Sequence, residues 1–248
     1  MEKQPSASFW SNTLPALERL AVVARYEIGE AVYRYNDPRE HWYRVVGGAA
    51  RKCALTGDGR RHIVDFALPG DLFGFGVTGG RQFCAEAIVP GTLIARYPRR
   101  SAETLADADP QIARNIREVA FQSIVRVQRR MVTLGRSSAL EKVSSFLLEM
   151  LDRSHTASAG VLQLPMSRYD IADYLAMAVE TVSRAMTELR ARRAIAFRGV
   201  RQVRICSREA LVEIADGLID SGARHRKNAV DITRHTQKRP TDISVLRA

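Results

Sequence analysis

The chain is predicted to be α+β, built as three successive parts: an all-β N-terminal half, one long helix, and a C-terminal winged helix-turn-helix. Three observations predict this. Turn signals recur about every ten residues between roughly 28 and 98, with short β-prone runs between them. A helical apolar period runs from about Pro110 to Leu134. From Pro165 to Ile205 a short helix, a tight turn, a second helix and an alternating ribbon follow one another.

The first part begins after a lead-in of about 25 residues, in which Leu14, Leu17, Leu20 and Ala21 mark a short amphipathic helix. The turns are Gly47-Gly48, Gly57-Asp58-Gly59, Pro69-Gly70, Gly79-Gly80 and Pro90-Gly91. Between them lie Val32 to Tyr35, Trp42 to Val46, His62 to Phe66 and Thr92 to Ala95, rich in β-branched and aromatic residues. This spacing predicts an all-β barrel or sandwich. Gly70, Gly74 and Gly76 are turn glycines. No Lys-Ser/Thr pair follows them and no βαβ unit surrounds them, so neither a P-loop nor a dinucleotide fingerprint is present.

The second part carries two apolar stripes on one helix. Ile116, Ala120, Ile124, Val127, Met131 and Leu134 form the first; Phe121, Val125 and Val132, interrupted by Gln128, form the second. One stripe is expected to pack on the β domain and leave the other for a partner, which predicts a dimer. A single core helix with a wide buried face is the alternative. The seam residues are Phe121, Ile124, Val125, Gln128, Met131 and Val132. Gly135-Arg136-Ser137 breaks the helix and is the expected hinge. Ser138 and Glu141 then have capping-box spacing for a helix from Ala139 to about Leu151.

In the third part Ser167 caps the first helix, with Asp170 as its acidic capping-box partner. Ile171, Ala172, Tyr174 and Leu175 supply its apolar positions, and Ala176-Met177-Ala178 makes the turn. The second helix runs from Val179 to about Arg193. Val182, Met186 and Leu189 share a buried face. Glu180, Ser183 and Arg184 fall on another, in the first turns, where a helix in a major groove meets base edges. An arginine there can bond guanine twice, a glutamate can accept from the cytosine amino group, and a serine can serve either strand. An ordinary helical hairpin with a solvated face would show the same two helices. The ribbon, Ala194 to Phe197 and Val203 to Ile205, and the arginines at 184, 190, 192, 193, 198, 201 and 204 favour DNA. Ser167, Arg168, Thr181 and Arg201 are the expected supporting contacts. A helix capped by Ser207 follows, to about Asp220. The remainder from Gly222 is polar and basic: a loose tail, either solvated or adding non-specific DNA affinity.

Composition narrows the setting. Of 248 residues, 46% are apolar, enough to build a core in two modest domains. Thirty-eight Lys and Arg against 27 Asp and Glu leave a charge of +11. That favours a polyanionic partner, although charge alone fits DNA, RNA or an anionic membrane. Cys53, Cys84 and Cys206 are far apart and odd in number, so no disulfide framework is expected, as suits a reducing cytoplasm. The N-terminus lacks a signal-peptide core, and no run reaches the length of a membrane span. No motif of convergent acid, base or nucleophile groups points to an enzyme.

Asp170-Ile171-Ala172-Asp173-Tyr174-Leu175, followed by Val179-Glu180-Thr181-Val182-Ser183-Arg184, resembles the DNA-binding domain of the CRP/FNR superfamily of bacterial regulators. The Glu-x-x-Ser-Arg form resembles the FNR and FixK branches, which read TTGA-type half-sites in inverted repeats. The resemblance implies that Glu180, Ser183 and Arg184 are the base readers, that the β domain is a cyclic-nucleotide-binding-like β-roll, and that the long helix is the dimer helix. RNA polymerase is then a further expected partner. Gly70 to Phe75 is similar to the FNR-branch loop, so the likeness covers about residues 25 to 208. Two positions depart from the pattern: Ala176 stands where glycine is usual, and Ala178 where a capping threonine is usual. Each should cost about 1 kcal/mol.

The same resemblance bears on sensing. Cyclic-nucleotide receptors of the superfamily place a glutamate after the loop glycine and an Arg-Ser pair on the next strand; here those positions are Phe75 and Phe83-Cys84. Residues 1 to 52 contain no cysteine, and three separated cysteines cannot supply a four-thiolate cluster within one chain. The histidines at 41, 62, 155, 225 and 235 show no ligand spacing. No metal or cofactor is therefore expected. Cys84 is expected near the vacated effector pocket and is the one thiol to watch; a small buried hydrophobe is its expected role, with oxidation at Cys84 or Cys206 as the alternative. The reading is a FixK-type regulator, an activator, acting as a dimer without cofactor. The alternative is a regulator of the same superfamily that senses a small molecule or redox state. The expected divisions are 1–110 for the roll, 111–137 for helix and hinge, 138–221 for the winged helix-turn-helix and 222–248 for the tail.

Overall fold

The computed structural model describes residues 15–55, 57, 61–76, 80–154 and 160–218. Leu14, Asp58, Gly59, Gly79, the end of the last helix at Asp220, the basic tail, and the histidines at 155, 225 and 235 lie outside the described residues.

A short helix α1 (Pro15–Glu18) leads into the roll. Its strands are β1 (Val22–Tyr26), β2 (Ala31–Tyr33), β3 (His41–Gly47), β4 (Ala50–Leu55), β5 (Arg61–Ala67), β6 (Leu72–Phe73), β7 (Cys84–Ala87) and β8 (Thr92–Pro98). They form two antiparallel four-stranded sheets, β1-β8-β3-β6 and β2-β7-β4-β5. Between them Tyr33, Tyr43, Val45, Phe73, Ala85 and Ile94 fill the interior. The turn before Ala49 needs glycine: Gly48 has φ +81°, and a Cβ there would lie 2.8 Å from the Thr92 backbone. Sequence alternation anticipated β2, β3, β5 and β8. It did not separate β1 from the lead-in, nor resolve β4 and β7, which carry no β-branched or aromatic residue, nor β6, which has only two residues.

Helices α2 (Arg99–Ala108) and α3 (Pro110–Gly135) follow without a break in packing. Asp109 caps α3 by accepting from the Gln111 amide at 2.8 Å, with proline in the first turn. A second apolar cluster joins Leu17, Trp42, Tyr97, Ala102, Ile112 and Val119, tying α1, α2 and the start of α3 to the outside of the roll. Arg44 and Glu18 lock it: Arg44 Nη2 lies 2.6 Å from Glu18, and the Tyr97 hydroxyl donates to Glu18 at 2.6 Å.

Helix α4 (Ala139–Arg153) begins at Ser138, which accepts from the Glu141 amide at 3.1 Å. Only half of the expected box forms, because the Glu141 carboxylate turns to the amide and hydroxyl of Ser137. Then come β9 (Val161–Gln163), α5 (Arg168–Tyr174), α6 (Val179–Ala191), β10 (Ile195–Phe197), β11 (Gln202–Ile205) and α7 (Arg208–Ala215). The ribbon β10–β11 gains β9 as a third strand, in the order β10-β11-β9. Ser207 caps α7 as its position predicted, accepting from the Ala210 amide at 3.1 Å.

One stripe of α3 departs from expectation. Only the start of the first stripe, at Ile116, packs on the roll; Ile124, Val127 and Met131 further along it are 50–68% exposed, and Phe121, Val125 and Val132 of the second are 42–64% exposed. The docked face instead carries Ile112, Asn115, Val119 and Thr133. Polar Asn115, Arg126, Arg130 and Thr133 supply much of that face, so apolar periodicity alone could not locate it. Among the described residues no helix is long and apolar enough to cross a membrane.

Candidate DNA-binding site

The site is α5, the turn and α6, and the sequence explains each piece. The full capping box predicted at Ser167 is present: its hydroxyl accepts from the Asp170 amide at 3.1 Å, and Asp170 accepts from the Ser167 amide at 2.9 Å. Ile171, Ala172, Tyr174 and Leu175 are all buried. The Tyr174 ring sits against Phe66 and Phe146, at centroid distances of 5.1 and 5.8 Å, and its hydroxyl donates to Glu149 at 3.2 Å. Ala176 adopts φ +52° to make the turn, the left-handed backbone that glycine favours. Ala178 occupies the cap of α6 with no side-chain hydrogen bond.

Helix α6 buries Val182, Ala185, Met186 and Leu189, each at most 4% exposed. Glu180, Ser183 and Arg184 share the opposite, exposed face, and Thr181 is half-buried beside them. The structure therefore brings the three reader candidates together on one solvent-facing surface. The supporting candidates have other engagements. The Ser167 hydroxyl donates to Asp170 at 2.7 Å. Arg201 donates to the Pro165 carbonyl at 3.0 Å, holding the ribbon against the entry to α5. Arg168 and Arg190 place their guanidinium groups 5.5 and 5.4 Å from the Phe197 ring centre, tying both helices to the wing. Burial pulls the Arg168 pKa below the usual arginine value.

Sequence reasoning missed how the site is seated. Asp170 is 6% exposed and pairs with Arg51 of β4 at 2.7 Å, while Arg51 also pairs with Glu86 of β7 at 2.8 Å. Burial alone would raise the Asp170 pKa; the bonds from Ser167 and the Arg51 charge outweigh it and hold the carboxyl below its usual range. Asp173 accepts from the Ile63 amide at 3.3 Å and pairs with Arg61 at 3.4 Å. Arg130 of α3 donates to the carbonyls of Val64, Ile63 and Tyr174 at 2.7–3.0 Å, bonding roll, long helix and α5 at once. Arg153, 4% exposed, donates to the Phe66 carbonyl and to Asp71, and pairs with Glu149 at 3.0 Å. Apart from the i, i+4 pair Glu149–Arg153, these partners are far apart in sequence, and no local pattern marks them.

The roll interior also differs from the sequence picture. Phe75 packs on Trp42, 5.2 Å between ring centres, and Phe83 lies under the Lys52 ammonium at 5.2 Å. A cation is nevertheless present. Arg81, 4% exposed, lies 4.0 and 5.1 Å from the ring centres of Tyr33 and Tyr43 and donates to the His41 and Gly74 carbonyls at 2.8 and 3.2 Å. Cys84 is not beside that interior. Its neighbour Ala85 points inward, and Cys84 packs on the outer cluster shared with the helix-turn-helix. Among the described residues no group of three or more His, Cys, Asp or Glu is placed to hold a metal.

Comparison with known proteins agrees with this architecture. Residues 23–109 match the cyclic nucleotide-binding domain and residues 141–214 the Crp-like helix-turn-helix domain. The chain belongs to the CRP/FNR family, in its FixK-like branch. The nitrogen fixation regulation protein FixK of Rhizobium meliloti is 38% identical over 190 residues, 77% of this chain and 85% of that protein. FixK of Azorhizobium caulinodans is 38% identical over 204 residues, 81% of each. The solved structure of FixK2 from Bradyrhizobium japonicum superposes with a TM-score of 0.73 at 39% identity, covering 78% of this chain and 96% of that one. The chain is thus a FixK-type transcription regulator with a helix-turn-helix DNA-binding domain.

Proposed function

We propose that the chain binds TTGA-type inverted repeats as a homodimer, with Glu180, Ser183 and Arg184 reading bases and no cofactor required. The observation that carries this is the exposed Glu180–Ser183–Arg184 surface on a helix whose other face is fixed in the core. Ser167, Arg168, Thr181 and Arg201 frame that surface and support the backbone contacts. The exposed residues Phe121, Ile124, Val125, Met131 and Val132, with Gln128 among them, form the dimer seam. A two-fold dimer would set its recognition helices about 34–36 Å apart on a palindrome. The filled roll supports independence from an effector: Arg81 already occupies its interior between two tyrosines. RNA polymerase is the proposed partner in activation, and the cytoplasm the proposed compartment; nothing in this role calls for catalysis. The divisions at residues 110, 137 and 221 are proposed with it.

The test is a titration of metal-free, nucleotide-free protein against a TTGA palindrome and a scrambled duplex. Tight, palindrome-selective binding that falls steeply with salt is expected, since each phosphate contact releases condensed counterions. Selective binding that appears only after cyclic nucleotide, haem or an iron–sulfur cluster is supplied would overturn cofactor independence.

A further inference from the structure

Cys53 of β4 and Cys84 of β7 stand directly opposite each other in the antiparallel register. Both are free thiols, Cys53 fully buried and Cys84 half-buried. The Cys84 Sγ reaches across to 3.5 Å from the Cys53 carbonyl oxygen. Directly opposed residues hold their Cβ atoms about 4.5–5.5 Å apart. A disulfide needs about 3.5–4.5 Å between them, so a small strand adjustment suffices. Two residues back along β4, on the same face, is Arg51; two residues on along β7 is Glu86, its register partner. That pair holds Asp170 of the helix-turn-helix. Cys53 itself packs in the cluster that contains Ile63, Phe66, Tyr174 and Leu175, under the docked module.

We propose that Cys53 and Cys84 form a reversible dithiol–disulfide couple, oxidised by peroxides, that sets how firmly the helix-turn-helix is seated on the roll. The half-buried Cys84 sulfur attacks the peroxide, becoming a sulfenic acid and releasing one water. The Cys53 sulfur then displaces the sulfenic oxygen as a second water, and the Sγ–Sγ bond forms. Two thiol protons and two electrons leave the protein and reduce one hydrogen peroxide to two waters. Burial pushes the Cys53 thiol up to about 12, so the closing step is slow at neutral pH and quickens as pH rises. Closing the bond draws β4 and β7 together beside Arg51 and Glu86 and shifts the guanidinium that Asp170 accepts from. The effect on DNA rests on the function proposed above; the chemistry of the couple and the seating of α5 do not.

The test uses the full chain carrying Cys206→Ser, so that only the two opposed thiols remain. Peroxide should remove two hydrogens by intact mass, join the Cys53 and Cys84 peptides, and be reversed by dithiothreitol. Amide hydrogen exchange across residues 167–175 should rise on oxidation, and affinity for a TTGA palindrome should fall about tenfold, a usual size for coupling between sites. Adding Cys53→Ser should abolish the loss of hydrogens and the exchange response together. Oxygen gained at Cys84 while Cys53 stays alkylatable, or a disulfide between two chains, would overturn the couple. A Cys53–Cys84 bond with unchanged exchange in α5 would overturn its link to seating. Exchange that rises in a chain whose reduced form shows no selective DNA binding would uphold the couple and count against the DNA reading instead.

Discussion

Replacing Asp170 by asparagine tests how the DNA-binding unit is held. The wild-type carboxylate takes the Ser167 amide at 2.9 Å and hydroxyl at 2.7 Å on one oxygen, and Arg51 at 2.7 Å on the other. An asparagine has one acceptor oxygen, so either the helix cap or the Arg51 bond is lost. Hydrogen bonds to a buried charge contribute about 1.5–3 kcal/mol each, and losing one partner of a buried ion pair costs more. Arg51 keeps Glu86, so the expected loss is about 2–3 kcal/mol, a fall in melting temperature of about 5–10 °C. The pH dependence follows from the depressed folded pKa. The carboxylate's contribution is complete above the unfolded value near pH 4 and is lost as pH falls through the lower folded value, so the gap between wild type and variant should narrow only in acid. Scanning calorimetry between neutral pH and pH 3, with the Asp170→Asn, Arg51→Met and double variants, measures both loss and coupling. A single variant that melts within about 1 °C of wild type at neutral pH, or strict additivity of the two changes, would refute the reasoning.

Three further outcomes are expected. Glu180→Ala or Arg184→Ala should lose about 1–3 kcal/mol at one matched base pair and relax specificity there; unchanged discrimination between TTGA-type and scrambled duplexes in both would remove them as readers. Val125→Glu or Met131→Glu should shift sedimentation towards monomer and weaken palindrome binding, because burying an unpaired carboxylate at a seam is costly; an unchanged oligomer in both would exclude α3 as the seam. Ala176→Gly should raise the melting temperature, since an alanine at φ +52° pays about 1 kcal/mol for its left-handed backbone; a fall would show that glycine's unfolded-state freedom dominates at this turn.

The module that faces DNA was legible because its information is local. The capping box at Ser167 and Asp170, the i, i+4, i+7 spacing of Val182, Met186 and Leu189, and the alanines at 176 and 178 each act within a turn of helix, and each behaves as its spacing implied. The long helix was legible as a helix, but its docked face was not. That face is made by Arg130 and Thr133 as much as by Ile112 and Val119, and a polar residue buried by a distant carbonyl leaves no period. Arg81 escaped for the same reason: its partners are carbonyls and ring faces of β2, β3 and the loop after β6, none specified by nearby sequence. The Cys53–Cys84 pairing needed the strand register, which two cysteines 31 positions apart do not reveal.

The largest apolar cluster does not respect the boundary between the two halves. Ala49, Cys53, Ile63, Phe66 and Leu68 of the roll lie in one continuous core with Phe146, Met150, Tyr174 and Val182 of the DNA-binding half. The halves are therefore poor building blocks. Exchanging one for a relative's would mate two surfaces that were shaped for other partners, leaving voids or overlaps where Phe66 meets Phe146 and Tyr174, and such mismatches in a packed core cost several kcal/mol. A workable chimera would have to carry the β5 face along with the helices that rest on it. Change in one half of this regulator is tolerated only when the other half follows.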